Sequence, residues 1–166
     1  MTVMVAVATR HGATREIAAE IATVLREQGL DADLVDLDSV DDVESYEAVV
    51  VGSAVYVGRW LEPARRFVAR NRAALAARPT WLFSSGPVGD PPLPDADAAV
   101  QVDELLAATR ARGHRLFAGR IDRSRLSFAE KAVLRVVRAR DGDYRDWAAV
   151  REYAMSIAFA LAARPR

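Results

Sequence analysis

Apolar residues fall into two kinds of pattern along this chain. Residues 3–8 form an unbroken apolar run, and so do residues 48–52, which end at Gly52. Short valine-rich runs of this kind predict strands buried on both faces. Residues 31–36 alternate instead, with Ala32 and Leu34 on one side. Residues 80–84 and 115–119 complete a set of five strand segments. Between the strands the apolar spacing changes to three and four. Ile17, Ile21, Val24 and Leu25 share one helix face, and that helix stops at Gly29, a residue suited to the left-handed position past a helix end. Leu61, Ala64, Phe67, Val68 and Leu75 mark a helix that opens near Glu62-Pro63, where proline fits the first turn. Val102, Leu105, Leu106 and Thr109 mark another over 97–112, closed by Gly113. A short helix over 127–140 and a turn at Asp141-Gly142 come next. The last helix starts near Asp146 and is expected to bury Trp147, Val150, Ala154, Ile157, Ala158 and Leu161. Strands that alternate with helices predict an α/β fold. Five strands in order 2-1-3-4-5 form a parallel sheet with helices on both faces.

In such a sheet, ligands bind at the carboxyl ends of the strands, near the point where the strand order reverses. Three loops meet there. The first is Thr9-Arg10-His11-Gly12-Ala13-Thr14, between a strand and a helix. It presents backbone N–H groups and hydroxyls at the positive end of the helix, which suits a phosphate. It has one glycine, with neither G-x-G-x-x-G nor the Walker pattern, so a single terminal monophosphate suits it better than a dinucleotide. The second loop, Ser53-Ala54-Val55-Tyr56-Val57-Gly58-Arg59-Trp60, offers aromatic rings and an arginine. The third, Ser84-Ser85-Gly86-Pro87-Val88-Gly89-Asp90, offers glycine-exposed amides that can meet the polar edge of a heterocycle. A phosphate cradle, an aromatic shelf and an amide rim describe a flavin mononucleotide (FMN) site. The expected cofactor-binding residues are Thr9, Arg10, His11, Gly12, Ala13, Thr14, Ser53, Ala54, Val55, Tyr56, Gly58, Trp60, Ser84, Ser85, Gly86, Gly89 and Asp90. No catalytic residue is assigned among them.

Plainer roles stand beside these. Tyr56 and Trp60 also fit core positions capping the following helix, and Trp81 and Trp147 read as core anchors. His11 fits an exposed loop residue, His114 a surface residue before a strand, and Asp90 a turn. Arg10 and Arg59 suit a phosphate or an acidic substrate.

Composition narrows the field. The chain has 166 residues, about half of them apolar, enough for one domain with a real core. Lys and Arg number 23 against 23 Asp and Glu, which gives no reason to expect a nucleic-acid partner. The absence of cysteine excludes disulfides, thiolate metal sites and cysteine nucleophiles. His11 and His114 are the two histidines, too far apart in the expected fold for a metal site. There is no visible Sec-type leader, and the longest apolar stretch, 153–163, is too short to span a bilayer. The reading is a cytoplasmic protein. A receiver domain of the same strand order needs acidic residues where Thr9-Arg10 and Gly52-Ser53 stand. A serine hydrolase needs the G-x-S-x-G that is missing here.

Charge is unevenly spread. Residues 31–47 are acidic without Lys or Arg, whereas 120–140 carry Arg120, Arg123, Arg125, Lys131, Arg135, Arg138 and Arg140 against Asp122 and Glu130. Leu126, Phe128, Val133, Leu134, Val136 and Val137 interleave the basic residues. One reading is a helix packed on the sheet with a solvated basic face. The other is a surface for peripheral contact with the inner face of a membrane or with a lipid-soluble quinone.

The three loops resemble those of the flavodoxin-like family. Thr9, Gly12 and Thr14 stand in register with its T/S-x-T/S-G-x-T phosphate loop, with His11 in place of a hydroxyl. A closer resemblance is to the flavodoxin-like menaquinone-dependent protoporphyrinogen oxidases. It is carried by Ser53, Tyr56 and Gly58, by Phe117-Ala118-Gly119, by the hydrophobic-basic segment and by Tyr144-Arg145-Asp146-Trp147. The resemblance covers nearly the whole chain. It implies a flavodoxin-like three-layer sandwich and an FMN cofactor. The implied activity passes reducing equivalents from a porphyrinogen-type donor to a quinone, within heme biosynthesis. Reductases of this fold often form homodimers. Electron-carrier flavodoxins are usually strongly acidic and place an aromatic in the third loop, and this chain departs from both habits. A flavodoxin-type electron carrier without its own substrate, and a protein of this fold binding a deazaflavin, stand as alternatives.

Overall fold

A computed structural model describes residues 1–40, 42–86, 101–121, 128, 131 and 142–163. In chain order the elements are β1 (Thr2–Ala8), α1 (Ala13–Glu27), β2 (Asp31–Asp36), β3 (Ala48–Tyr56), β4 (Arg59–Trp60) and α2 (Glu62–Arg70). They continue with α3 (Arg72–Ala76), β5 (Thr80–Gly86), α4 (Asp103–Thr109), β6 (His114–Ala118), β7 (Arg120–Ile121), β8 (Gly142–Asp143) and α5 (Trp147–Ala162). Five parallel strands run in the order β2-β1-β3-β5-β6, which is the expected spatial order. The sheet has six strands rather than five, because β4 folds back antiparallel on the end of β3. A separate ribbon pairs β7 with β8.

The apolar run of β1 is buried on both sides, as a central strand requires. Val3, Val5 and Val7 face α1 and α5 in one core, with Ile17, Ile21, Leu25, Phe83, Ile157 and Leu161. Met4, Ala6 and Ala8 face the other core, with Trp60, Phe67, Leu75 and Leu82. The period of two in a strand thus feeds two cores from one segment. At the edge of the sheet, β2 has the exposed alternate positions that its sequence shows.

β3 extends beyond the apolar run to Tyr56. Val55 pairs with Trp60 and Tyr56 with Arg59, leaving Val57 and Gly58 as a two-residue turn. Both turn residues have positive φ, 51° and 73°. This is the left-handed hairpin turn whose twist matches its flanking strands. Gly58 adopts it freely. Val57 is β-branched and 67% exposed at the tip, and holding it there costs about 1–3 kcal/mol.

The helix expected after Glu62 is interrupted at Asn71, whose side-chain amide donates to the Phe67 carbonyl, 3.0 Å away. Asparagine competes with the helix for its own backbone in this way. The start of the helix expected over 97–112 and nearly all of that expected over 127–140 lie outside the described residues. Phe128, in the second of these, is 94% exposed. Asp146 caps α5 by accepting from the Ala149 N–H at 3.1 Å. Val150, Ala154, Ile157, Ala158 and Leu161 are buried as expected. Trp147 is not: it is 37% exposed in the first turn, with its ring turned to the Arg145 guanidinium, 4.7 Å away, instead of the core. Tyr153 is buried, and its hydroxyl donates to the Leu82 carbonyl at 2.8 Å. Burial pushes that phenol up from its ordinary pKa. Among the described residues no helix is long and apolar enough to cross a membrane.

Candidate functional site

Sheet register brings three strand ends into line. Ala8 pairs with Ser53, and Ser53 pairs with Ser84. The carboxyl ends of β1, β3 and β5 therefore lie side by side. β1 lies between β2 and β3, so the chain departs from it in opposite directions, the reversal at which sheets of this kind bind their ligands.

The first loop is built around Gly12. Its φ of 86° is left-handed, and its N–H donates to the Thr9 hydroxyl at 3.1 Å. The first helical bond runs from the Glu16 N–H to the Gly12 carbonyl. Gly12, at the N-cap, has no side chain to cap α1, and an external acceptor suits the N–H groups of its first turn. A Cβ placed on Gly12 would meet no heavy atom within 4 Å. The requirement for glycine is thus conformational, and the outer side of the loop is open. Thr14 is buried in the first turn, while Thr9, His11 and Ala13 are half-buried.

The second loop approaches the first. Arg10 is exposed, and its guanidinium lies 4.8 Å above the centre of the Tyr56 ring. This contact links the phosphate-type loop to the hairpin. Arg59 pairs directly across from Tyr56 and so shares its face of the ribbon. Beneath them lies a hydrogen-bonded layer. The buried Trp60 indole N–H donates to Ser84 Oγ at 2.7 Å. Ser53 Oγ accepts from the Leu61 N–H at 3.0 Å and donates to the Ala54 carbonyl at 2.8 Å. Ser53, Trp60, Ser84 and Ser85 are buried and support the hairpin from below, whereas Ala54, Val55, Tyr56 and Gly58 are part-exposed. Gly86 ends β5 and accepts from the Gly119 N–H at 2.9 Å. Gly89 and Asp90 lie outside the described residues.

His114 corrects its surface reading. It is half-buried, and its Nε2 lies 2.7 Å from Ser84 Oγ. The reason is register: His114 pairs with Leu82, which puts the imidazole diagonal to Ser84 on the same face of the sheet.

A further cluster had no signal in spacing or composition. Arg145 lies against the first turn of α1 with its side chain 5% exposed. It donates to Asp143 through Nε at 2.8 Å and Nη2 at 2.7 Å, to Glu16 through Nη1, and to the Ala13 carbonyl at 3.4 Å. The Tyr144 N–H donates to the Gly119 carbonyl at 3.2 Å, which seats the segment on the sheet end. Hydrogen bonds from Arg145 hold the Asp143 carboxyl down at a pKa of about 2, against 3.8 ordinarily. The same bonds push the Arg145 pKa up.

The sign of the resulting pH dependence is fixed. The folded pKa is lowered, so the contribution of the pair is complete above pH 3.8 and fades as the pH falls through about 2. Asp143 is 45% exposed, so solvent screening keeps that contribution to about 1 kcal/mol or less. Asp143→Asn is expected to lower the thermal midpoint at pH 5 and to match the unsubstituted chain near pH 2. An equal gap at both pH values would show that the carboxylate charge is not the source.

Comparison with known proteins follows the same lines. A family model described as a flavodoxin domain matches residues 4–147. Among curated proteins, the chain is 24% identical over 172 residues to protoporphyrinogen IX dehydrogenase [quinone] of Escherichia coli (strain K12), covering 95% of each chain. Among solved structures it is similar to a flavodoxin from the domain Archaea, with TM-score 0.65, 16% identity and coverage of 98% of this chain and 99% of that one. Oxidised Flavodoxin 2 from Bacillus cereus gives TM-score 0.66 at 18% identity, covering 96% and 99%. At these identities the structural likeness shows the fold.

Proposed function

The chain belongs to the flavodoxin domain family, which makes FMN its cofactor, and from that premise we propose that it is an oxidoreductase passing reducing equivalents from a porphyrinogen-type donor to a quinone. The observation that carries the cofactor site is the open, uncapped α1 N-terminus at left-handed Gly12, beside the strand ends that bear Tyr56. The residues present fit the group. The first-turn N–H groups would take the phosphate, with Thr9 fixing the loop. The half-exposed Tyr56 ring and the neighbouring strand-end amides would meet the flavin. Bound there, the flavin supplies the acceptance and release of reducing equivalents. Arg10 and Arg59 flank Tyr56 and are both exposed. Two cations on an aromatic rim suit a planar donor that carries carboxylates.

The donor and acceptor are supported by the Escherichia coli relative, which matches over 95% of each chain. In this reading the quinone meets the surface that includes the basic stretch 120–140, most of which lies outside the described residues. The test is turnover by flavin-loaded protein supplied with a porphyrinogen and a quinone. Quinone-dependent oxidation of the porphyrinogen is the expected result. A chain that keeps FMN yet turns over no porphyrinogen, and is reduced by a partner reductase instead, belongs with the electron carriers. Preferential retention of a deazaflavin over FMN would overturn the cofactor assignment.

A further inference from the structure

A phosphate at the α1 N-terminus meets a local conflict. The helix end favours an anion, but Glu16 places a carboxylate in the same first turn. A phosphate dianion would face that charge at short range. The first turn also carries Arg15, but its guanidinium is engaged with Asp36 at 3.1 Å, toward β2. Arg151 is engaged further along the helix with Glu20 and Glu27.

Among the described residues, two cations reach Glu16. Arg145 bonds its carboxylate directly, and Arg120 Nη1 lies 3.8 Å away. Arg145 is the fixed one. Its plane is clamped by two bonds to Asp143, its far face lies against Trp147, and one Nη1 contact reaches the Ala13 carbonyl in the turn itself. A guanidinium held in this way is a permanent charge with little orientational freedom to lose. We propose that Arg145 is a positioning residue for the phosphate end of the cofactor: with Arg120 supplying the second positive charge against Asp143 and Glu16, its contact offsets the Glu16 carboxylate and keeps the α1 N-terminus receptive to an anion. This rests on the cofactor site argued above. It gives the Tyr144-Arg145-Asp146-Trp147 segment a part in binding: Arg145 balances charge at the loop, Trp147 backs it, and Asp146 caps the helix that carries Trp147.

Riboflavin carries the same ring system as FMN without the phosphate, so the ratio of the two affinities isolates the phosphate end. The protein is stripped of flavin and titrated with each. Arg145→Ala is expected to weaken FMN about tenfold and to leave riboflavin within about twofold, with the gap shrinking at high salt. Glu16→Gln alone is expected to tighten FMN about threefold and leave riboflavin unmoved. The double variant Glu16→Gln/Arg145→Ala is expected to recover most of the loss. A merely structural arginine predicts otherwise: both flavins weaken together, and removing Glu16 recovers nothing. Either of those results overturns the inference. If Arg145→Ala does not fold, Glu16→Gln decides, and unchanged FMN affinity overturns the proposal. A parent chain that binds FMN no better than riboflavin overturns the phosphate site itself, and the inference falls with it.

Discussion

Trp60→Ala is expected to lower folding stability by about 3–5 kcal/mol and to release the flavin. Trp60 is 2% exposed and fills the core between the sheet and α2, together with Ala64, Phe67 and Leu82. Alanine leaves a cavity there that the two-residue strand β4 is too short to close. It also removes the indole N–H from Ser84 Oγ, which sits 2.7 Å away at the line of strand ends. Trp60 is the largest of the buried side chains beneath the hairpin that presents Tyr56, so loss of stability and loss of cofactor are expected together. Trp60→Phe separates the two contributions. It keeps most of the volume, drops the hydrogen bond, and is expected to cost about 1–2 kcal/mol. Urea denaturation of the three proteins, read beside flavin retention, checks both numbers. A Trp60→Ala cost below about 1 kcal/mol would show that the site collapses around the gap.

Gly52→Ala is the second large effect, with an expected loss of about 2–3 kcal/mol. A Cβ on Gly52 would lie 2.0, 2.1 and 2.5 Å from three atoms of the Phe83 ring. Phe83 is its partner in the neighbouring strand and covers the glycine. A clash with a ring tip is cheap when the ring can swing aside. This ring is fully buried, with Phe117 6.1 Å away on a tilted contact and Tyr153 packed edge-on behind Phe117. The displacement would pass down that row toward α5. The pair Gly52→Ala/Phe83→Leu is expected to be more stable than Gly52→Ala alone, because the smaller side chain vacates the space. If the second change only adds to the loss, the ring is not the obstacle. Thermal or urea unfolding of the two variants decides between these outcomes.

The parts of the fold legible in the amino-acid sequence are those in which one segment satisfies a period by itself. β1 and the first half of β3 are apolar throughout because they are central strands, and α1 has a clean face because it packs once, against β1 and α5. β4, β7 and β8 are two residues each, too short for any period to register. Trp147 misleads because a large apolar side chain in a first turn looks like core, while its actual neighbour is a guanidinium. His114 misleads because its burial comes from the adjacent strand rather than its own. Of the proposed site, the Thr9–Thr14 segment is legible as a strand-to-helix loop, because glycine and hydroxyls sit where a strand gives way to a helix. The Glu16–Arg145 contact joins residues 129 apart, and its residues are of types common on any surface. The resemblance marks the segment that holds Arg145, but only tertiary approach reveals its partner Glu16.

The β7–β8 ribbon has one more consequence. Arg120 pairs with Asp143 and Ile121 with Gly142, so the two ends of the segment between them are held side by side. Residues added between the two strands lengthen the closed segment without entering the ribbon's pairing, and closure cost grows slowly with length, by about 0.6 kcal/mol per doubling. For an engineer this is a splice point. A reporter joined at Ile121 and Gly142 would arrive next door to the α1 N-terminus, where Arg120 and Arg145 meet Glu16.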